Sequence, residues 1–483
     1  MFFRQFYDTS LAQASYLIGC QASGDAIVVD PLRDITPYLR AAEREGLRIT
    51  HVTETHIHAD FVSGARELAA ATGAALHLSG EGGPDWQYAF AEADGARLLR
   101  DGDVLMVGNI RLDVMHTPGH TPEHLSFVVT DTPAASGPMG VLTGDFVFVG
   151  DVGRPDLLEK AAKVANTMEA GARTLYASLE RFRALPDHLQ VWPGHGAGSA
   201  CGKALGAVPS STVGYEKRAN WGVGTLDESE FVRQVLEGQP EPPAYFAQMK
   251  RINRDGPPVL GRRLAPPREA LAHLVAQVAA GAWLVDLRPA GDFAAGHVPG
   301  ALSLPYNRSF TTWAGSLLPY GEPLHLITSA RGAAADEAIA QAVHDLSLIG
   351  LDDVAGWYDG DTLDAWQGEQ RPWEDVATLT ASDLAARRLR EPLQVLDVRG
   401  ATEFDAGHLP DAAHVPLGDL PAAAAALDPL QPIVVQCQSG ARSMIAASVL
   451  QRAGRQDVFN LAGGFVAWRD AGLPVDRSPR ESA

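Results

Sequence analysis

Residues 55–64 read Thr-His-Ile-His-Ala-Asp-Phe-Val-Ser-Gly, and imidazoles and carboxylates at this spacing are typical of a metal-binding loop. A metal-binding loop of the form His-x-His-x-Asp-His offers four ligands. His56, His58 and Asp60 fill the first three of these positions. Phe61 occupies the last histidine position, and a phenyl ring has no donor atom for a metal. The loop therefore predicts one metal ion rather than two. The alternative is an apolar plug within a rearranged binuclear site.

Three further loops with polar residues each follow a predicted strand. They read Pro-Gly-His-Thr around His120, Thr-Gly-Asp ending at Asp145, and Pro-Gly-His-Gly around His195. Glycine beside a histidine lets the backbone turn sharply enough to direct the imidazole inward. Four such loops in this order predict a metal site at one edge of a sheet. His116 and His124 flank the second loop and are predicted to be structural.

A second chemical signal lies near the end of the chain. Residues 437–443, Cys-Gln-Ser-Gly-Ala-Arg-Ser, follow an apolar strand and precede a predicted helix. Backbone N–H groups of such a loop, together with the positive end of the helix, stabilise a thiolate and the anionic persulfide formed from it. Cys437 is therefore predicted to be nucleophilic.

An internal repeat organises the second half of the chain. Residues 284–305 and 395–416 align without gaps, pairing Asp286 with Asp397 111 residues later. Each copy continues into a short apolar strand and a helix of small residues, which predicts a duplicated α/β domain. We place the copies at residues 264–372 and 373–483. In the first copy Thr328 occupies the cysteine position, and a hydroxyl cannot carry sulfane sulfur, so this copy is predicted to be inactive.

The first half has a different pattern. Residues 1–30 alternate like paired strands, residues 35–47 are helical, and further strands are predicted at 104–107, 110–116, 124–130 and 140–143, with a helix over 157–184. This pattern predicts an αββα domain over residues 1–235. Residues 236–263 are rich in proline, glycine and arginine and are predicted to form a linker.

On these motifs, residues 1 to about 235 resemble the metallo-β-lactamase superfamily, specifically its persulfide dioxygenase branch. Residues 264–483 resemble two rhodanese domains. The fold class implied is α/β, an N-terminal αββα metallo-β-lactamase-type sandwich followed by two α/β rhodanese-like domains. The Asp-Val-Arg and Ala-Gly-His elements upstream of Cys437 favour a rhodanese loop over the similar loop of a cysteine phosphatase or arsenate reductase.

The resemblance implies roles for the loop residues. The iron ligands of the persulfide dioxygenase branch fall on His56, His120 and Asp145. Two histidines and one carboxylate leave about three coordination positions open on a single ferrous ion, one per chain. His58, Asp60 and His195 are then expected to orient the ligands through hydrogen bonds. His58 as a fourth ligand is the alternative.

The remaining candidate residues concern sulfur and substrate. The resemblance implies that Cys437 carries sulfur and that Arg442 binds an anion. Cys201, on a loop of small residues after His195, is predicted to relay persulfide, with a passive cysteine as the alternative. Cys20 is predicted to be a buried strand residue. The resemblance implies that the basic segment with Tyr215, Lys217 and Arg218 contacts the glutathione-like part of the substrate, and the alternative is a solvated loop.

The amino-acid composition limits the classes of binding partner and the cellular compartment that we expect. A net charge of −20 disfavours nucleic acid and anionic membranes. Three cysteines cannot form a disulfide framework, and we see neither a signal peptide nor an apolar spanning segment, so the cytoplasm is expected.

The resemblance implies oxidation of a low-molecular-weight persulfide by O₂ to sulfite, and rhodanese sulfur transfer giving thiosulfate. The thiol could be glutathione, bacillithiol, coenzyme A or cysteine, and a homo-oligomer is possible. The rival functions are a glyoxalase II-type thioester hydrolase with two zinc ions and a non-catalytic sulfur-binding scaffold.

Overall fold

The computed structural model describes residues 1–160, 167–261 and 265–478. Within these ranges the chain divides into two compact units. The first comprises residues 1–261 with 347–350, and the second comprises residues 265–346 with 351–478.

The first unit contains two six-stranded sheets. One is built from β1 (Phe2–Asp8), β2 (Gln13–Gly19), β3 (Asp25–Val29), β4 (Arg48–Thr53), β5 (Ala75–Ser79) and β6 (Arg97–Leu99), in that spatial order. The other is built from β7 (Val104–Val107), β8 (Ile110–His116), β9 (Leu125–Asp131), β10 (Gly140–Gly144), β11 (Gln190–Pro193) and β12 (Ser211–Thr212), again in order. The strands predicted between residues 104 and 143 are confirmed.

Eight helices accompany these sheets in the described part of the first unit. They are α1 (Thr36–Arg44), α2 (Ala65–Thr72), α3 (Leu157–Lys160), α4 (Met168–Arg183), α5 (Val213–Ala219), α6 (Trp221–Gly224), α7 (Glu228–Leu236) and α8 (Phe246–Asp255). The predicted helix over 157–184 is thus represented by α3 and α4, and residues 161–166 lie outside the described residues.

Strand β2 shows how the layers are held together. Its side chains alternate between two faces, as in any pleated strand. Ile18 packs with Leu112 and Phe127 of the second sheet, whereas Leu17 packs on the opposite face with Tyr38 of α1. A third cluster buries the helices on the outer face of the second sheet. The predicted αββα layering is therefore confirmed.

The predicted linker over residues 236–263 requires correction. Residues Phe246–Asp255 form α8, and Phe246, Met249 and Asn253 are buried along one side of it. Spacings of three and four residues place these side chains on one helical face. The prolines and glycines on either side concealed this short pattern. Residues 262 and 263 of the predicted linker lie outside the described residues.

The second unit contains two parallel sheets. The first includes β13 (Trp283–Asp286), β14 (Leu302–Ser303), β15 (Leu324–Ile327) and β16 (Val354–Tyr358), in the order β14-β13-β15-β16. The second includes β17 (Ala377–Leu379), β18 (Gln394–Asp397), β19 (Ala413–His414), β20 (Ile433–Gln436) and β21 (Val458–Leu461), in the order β17-β21-β20-β18-β19. Apart from β17, the two sheets have the same strand order and direction.

Helices connect these strands. Helix α9 (Leu271–Ala280) precedes β13, and the helices between β13 and β17 are α10 (Ala290–Ala295), α11 (Phe310–Leu317), α12 (Ala333–Leu348) and α13 (Gly360–Gly368). Those after β17 are α14 (Ala381–Arg388), α15 (Ala401–Asp405), α16 (Leu420–Ala423), α17 (Ala441–Arg452) and α18 (Gly464–Asp470). We name residues 265–372 the first repeat and residues 373–478 the second repeat. None of the helices in the described ranges is long and apolar enough to cross a lipid bilayer.

Candidate functional site

Three buried side chains meet where strands of the first unit end. His56 lies beyond β4, His120 beyond β8, and Asp145 directly after β10. Their candidate ligand atoms all lie within 4.8 Å of one another. Asp145 Oδ2 is 3.9 Å from His56 Nε2 and 3.6 Å from His120 Nε2. The three residues that the family resemblance assigned to iron are thus brought together.

Hydrogen bonds orient both imidazoles. His120 Nδ1 lies 3.2 Å from the Arg154 carbonyl oxygen, which can only accept, so Nδ1 carries the proton. His56 Nδ1 lies 2.9 Å from Thr55 Oγ1, whose hydroxyl donates to Asp30 Oδ2 at 2.9 Å. The Thr55 oxygen therefore accepts from Nδ1. In both rings Nε2 is left with a free lone pair, as a metal ligand requires.

The charges of this group also suit a cation. Burial lowers the pKa of His56 well below its usual value, with the charge of His58 adding to the effect, and burial also lowers the pKa of His120. Burial alone would favour a neutral Asp145, but His195 and the two other histidines lower its pKa well below the usual range. Neutral imidazoles and an ionised carboxylate are the forms that bind metals.

One atom of the group lacks any partner within the described structure. Asp145 Oδ2 is buried and accepts no hydrogen bond. A buried unpaired carboxylate oxygen is costly, and a metal ion at this place would account for it. The donor set of two imidazoles and one carboxylate therefore fits a metal ion with open coordination positions.

His195 lies between two carboxylates. Its Nδ1 is 2.7 Å from Asp145 Oδ1, and its Nε2 is 2.7 Å from Asp60 Oδ2. Burial opposes the charged ring, but these two carboxylates raise its pKa well above the usual value. His195 is thus an imidazolium that donates from both nitrogens and orients Asp145. With Asp60 and Cys201 it also forms a second group whose candidate ligand atoms lie within 4.8 Å, and this group could hold a metal only after His195 loses a proton.

Cys201 is buried and its loop is anchored on both sides. Arg154 Nη1 donates to the Ala200 carbonyl at 3.0 Å, and the Lys203 N–H donates to Asp151 Oδ2 at 2.9 Å. Burial raises the pKa of the Cys201 thiol well above its usual value, and the carboxylates nearby raise it further. The thiol form is therefore favoured in the absence of a cation. A relay role for Cys201 stays a prediction.

His58 and Phe61 lie beside the metal group. His58 Nε2 is 3.2 Å from Asp30 Oδ1 and is not among the three converging ligand atoms. Burial opposes its charge, but Asp30 outweighs it and raises the pKa of His58 to about 9. Phe61 is fully buried, with its ring 4.4 Å from that of His58. An apolar ring thus fills the position of the last histidine in the motif.

Two residues that support the metal loop were missed at the sequence level. On α8, Asn253 Nδ2 donates to the carbonyls of His58 at 2.8 Å and Phe61 at 2.6 Å. Tyr245, just before the helix, donates from its hydroxyl to the Asp60 carbonyl at 3.1 Å. The helical spacing of Phe246, Met249 and Asn253 was the signal that could have found them.

His124 has the structural role that was predicted for it. Its Nε2 accepts the Asp145 N–H at 3.1 Å, and its Nδ1 lies 2.8 Å from Thr117 Oγ1. The ring thereby holds the backbone of the carboxylate ligand in place. The flanking His116 interacts instead with the Pro122 carbonyl, at 2.8 Å from its Nε2.

The predicted substrate-binding residues, Tyr215, Lys217 and Arg218, all lie on α5. Lys217 Nζ donates to the Leu185 carbonyl at 2.7 Å and to Asp187 Oδ1 at 2.6 Å, so its charge is already paired. Helix α5 follows β12, which pairs with the beginning of β11, whereas His195 follows the end of β11. The structure does not bring Lys217 into the metal group, and substrate contact stays a prediction.

The sulfur loop of the second repeat lies between β20 and α17. Cys437 is buried, and its Sγ accepts the Gly440 N–H at 3.1 Å. Ser443 Oγ lies 3.5 Å from the same sulfur and 2.6 Å from Asn460 Oδ1. Gly440 has φ of 97°, a conformation that favours glycine. The loop thus directs the Gly440 N–H at the thiol sulfur and places the Ser443 hydroxyl, which donates to Asn460 Oδ1, beside it.

Arg442 is not free to bind an anion without competition. Its two terminal nitrogens each lie 2.7 Å from an oxygen of Glu403. Planar bidentate pairs of this kind are strong and specific. Anion binding by Arg442 stays a prediction, and an incoming anion would have to compete with Glu403.

In the first repeat, Thr328 replaces the cysteine, as predicted. Its Oγ1 accepts the Ala330 N–H at 3.2 Å, much as Sγ accepts a loop N–H in the second repeat. Arg331 pairs with Asp361 at 2.8 Å. The described loop therefore offers no thiol. Cys20 is buried, as predicted, but it lies directly after β2 rather than within the strand.

Family comparisons agree with these two sites. The metallo-β-lactamase superfamily model matches residues 8–195, the segment that carries all three metal loops and His195. The rhodanese-like domain model matches residues 380–471, the segment of the second repeat that carries Cys437.

A solved structure is similar over most of the chain. It is a metallo-β-lactamase from Staphylococcus aureus subsp. aureus COL, 42% identical, covering 74% of this chain and 99% of that one with a TM-score of 0.65. The chain belongs to the metallo-β-lactamase superfamily. Within this superfamily member, the metallo-β-lactamase fold is fused to a rhodanese-like domain.

Two curated relatives of the superfamily domain differ in activity. Persulfide dioxygenase ETHE1, mitochondrial, of Homo sapiens is 28% identical over 197 residues, which cover 40% of this chain and 67% of the relative. Hydroxyacylglutathione hydrolase of Rhodospirillum rubrum is 32% identical over 180 residues, which cover 37% and 60%. The chain spans 61% of the length of other curated relatives that it matches. These two sequence identities are too similar to distinguish between the two activities.

Proposed function

We propose that this protein is a persulfide dioxygenase coupled to a rhodanese-type sulfurtransferase. The main support for the proposal is the different surroundings of the two carboxylate oxygens of Asp145. Its Oδ1 is held by His195, its Oδ2 alone faces the two histidines, and Phe61 removes a ligand for a second ion. This arrangement supports one metal ion, as a mononuclear oxygenase needs.

When held by His56, His120 and Asp145, a ferrous ion would supply open positions at which a thiolate and dioxygen react. Neighbouring residues of the chain hold these three side chains in the form and position that metal binding needs. Thr55 and the Arg154 carbonyl fix the imidazole tautomers, and His124 fixes the carboxylate backbone. Burial of all three ligands keeps bulk water away from them.

The proposed oxidation balances without another reductant. One persulfide, one dioxygen and one water give one thiol, one sulfite and two protons. The outer sulfur loses four electrons, and dioxygen gains them. His195 donates to Asp145, a member of the metal group, and to Asp60 beside it.

The second repeat would then use the sulfite. The Cys437 thiolate takes the outer sulfur of a second persulfide and releases the thiol. The resulting persulfide on Cys437 passes this sulfur to sulfite, which gives thiosulfate and restores the thiolate. Covalent linkage of the two activities raises the effective concentration of sulfite at the sulfur loop.

One observation favours a second candidate, a glyoxalase II-type thioester hydrolase. The group formed by Asp60, His195 and Cys201 could hold a second ion, and two ions can share an activated water. This function requires His195 to lose the proton, and with it the hydrogen bond, on the ring nitrogen that would bind the ion. A thioester hydrolase would also have no evident use for the fused rhodanese-like domain.

Metal counting and oxygen uptake test the proposal. Protein purified without oxygen should contain about one iron per chain and should consume dioxygen when given glutathione persulfide. His120→Ala should lose both, whereas His188→Ala, which changes an exposed histidine, should lose neither. Two zinc ions per chain with hydrolysis of a hydroxyacylglutathione thioester and no oxygen uptake would establish the hydrolase instead.

A further inference from the structure

We propose that the first repeat, which carries no cysteine in its loop, positions the sulfur loop of the second repeat through helix α17, with Arg452 as the positioning residue. The inference rests on the proposed sulfur transfer at Cys437. It gives the first repeat a part in that reaction that requires no nucleophile of its own.

The sulfur loop depends on where α17 lies. Gly440 precedes the helix and donates its N–H to Cys437 Sγ, and Ser443 in the first turn approaches the same sulfur. The helix has 12 residues, from Ala441 to Arg452, and is therefore about 18 Å long. Because a helix of this length moves as a rigid rod, its far end helps to determine the donor geometry at the sulfur.

Arg452 fastens that far end to the first repeat. Its Nη1 donates to the carbonyls of Ala282 at 3.0 Å and Gly300 at 2.9 Å, and its Nη2 donates to that of Gly281 at 2.9 Å. The guanidinium also lies 4.0 Å from the ring centroid of Trp283. All four partners belong to the first repeat. A planar guanidinium can satisfy several carbonyls and a ring face at once, which an ammonium cannot.

A second contact lies midway along the helix. Ser303 is in β14, an edge strand whose outward N–H groups have no strand partner. Its N–H donates to Ser448 Oγ of α17 at 3.0 Å, and both residues are buried. Ser448 Oγ in turn donates to the Ile445 carbonyl at 2.7 Å. Helix α17 thus completes the edge of the first repeat's sheet and is held along its length.

The chain offers a matched control for Arg452. Arg455, three residues later, also donates to three carbonyls, those of Leu427, Asp428 and Gln431, but all three belong to the second repeat. Arg455→Ala therefore removes the same chemistry without touching the contact between repeats. Arg452→Lys keeps the charge and loses the planar fork.

The experiment uses the full chain and three measurements: the thermal midpoint, the rate of Cys437 alkylation by iodoacetamide at neutral pH followed by mass spectrometry, and kcat and KM for sulfur transfer from thiosulfate to cyanide. Arg452→Ala should slow alkylation and lower kcat several-fold with little change in KM, because its side chain lies at the end of α17 opposite to the sulfur loop. Arg452→Lys should fall between, and Arg455→Ala should leave alkylation and kcat as in the wild type.

Two outcomes would overturn the positioning role of Arg452. If Arg452→Ala lowers only the thermal midpoint, with alkylation and kcat unchanged, the contact is merely structural and the proposal is overturned. If that variant does not fold, Ser448→Ala decides, since it removes one acceptor only and should slow alkylation in the same direction; an unchanged rate would refute positioning. Alkylation needs no sulfur substrate, so it tests the positioning even if the wild type proves to transfer no sulfur.

Discussion

His195 Nδ1 lies 2.7 Å from Asp145 Oδ1, so the carboxylate that faces the two candidate histidine ligands has one oxygen hydrogen-bonded and one free. The other nitrogen of the same ring binds Asp60. The imidazolium thus lies within the group formed by Asp60, His195 and Cys201, where its positive charge disfavours a second cation. This contact and Phe61 are the observations that support the single metal ion of the proposed function.

Asp145→Asn should abolish metal binding. The amide keeps the shape of the side chain and can still accept from His195, but it lacks the negative charge that the buried cation requires. Iron measured after anaerobic purification should fall from about one per chain to near zero, with Asp187→Asn on the surface as the control. Full iron in Asp145→Asn would mean that the ligands are assigned wrongly.

Phe61→His should restore a ligand for a second ion. After reconstitution with excess zinc, the metal content should rise from about one to about two per chain. Phe61→Leu, which also removes a fully buried ring, should lose stability by about 1–3 kcal/mol without binding extra metal. A metal content in Phe61→His no higher than in Phe61→Leu would show that the pocket differs elsewhere as well.

Cys437→Ser should separate the two steps of the reaction. Oxygen uptake should remain close to that of the wild type, while the product shifts from thiosulfate toward sulfite, because a hydroxyl cannot carry sulfane sulfur. Thr328→Ser, at the equivalent position of the first repeat, should leave both products unchanged. Sulfite and thiosulfate can be quantified by ion chromatography, and an unaltered ratio in Cys437→Ser would refute the division of labour.

His77 should make the first unit less stable in acid. It is buried on β5 without a hydrogen-bond partner on either ring nitrogen, and burial, with His51 adding to the effect, lowers its pKa to about 4 from 6.5. Between these two pKa values His77 is protonated in the unfolded chain and neutral in the folded chain. The free energy of unfolding therefore falls as the pH falls. From pH 7 to pH 5 the loss should be about 2 kcal/mol.

Urea unfolding at the two pH values measures this effect. His77→Leu should lose less stability between pH 7 and pH 5 than the wild type does, by about 2 kcal/mol. His188→Leu, at an exposed position, should follow the wild type. Equal pH dependence in His77→Leu and the wild type would exclude this histidine as the cause.

Local patterns predicted much of the fold. Strands β7 to β10 of the second sheet were predicted to within about a residue at each end, because alternation and glycine turns are encoded in neighbouring residues. Helix α8 was missed because prolines and glycines surround a single short face of Phe246, Met249 and Asn253. Its contribution to the metal loop, through Asn253, joins residues more than 190 positions apart and leaves no trace in local sequence.

The sequence by itself determined the ligand types, the lack of a donor at Phe61 and the presence of one thiol loop rather than two. The tertiary structure decided which oxygen of Asp145 is free, that Cys201 is buried, and that Lys217 is already paired. The physical reason is distance along the chain. Asp60 and His195 are 135 residues apart, and the hydrogen bond between them exists only once two sheets pack together.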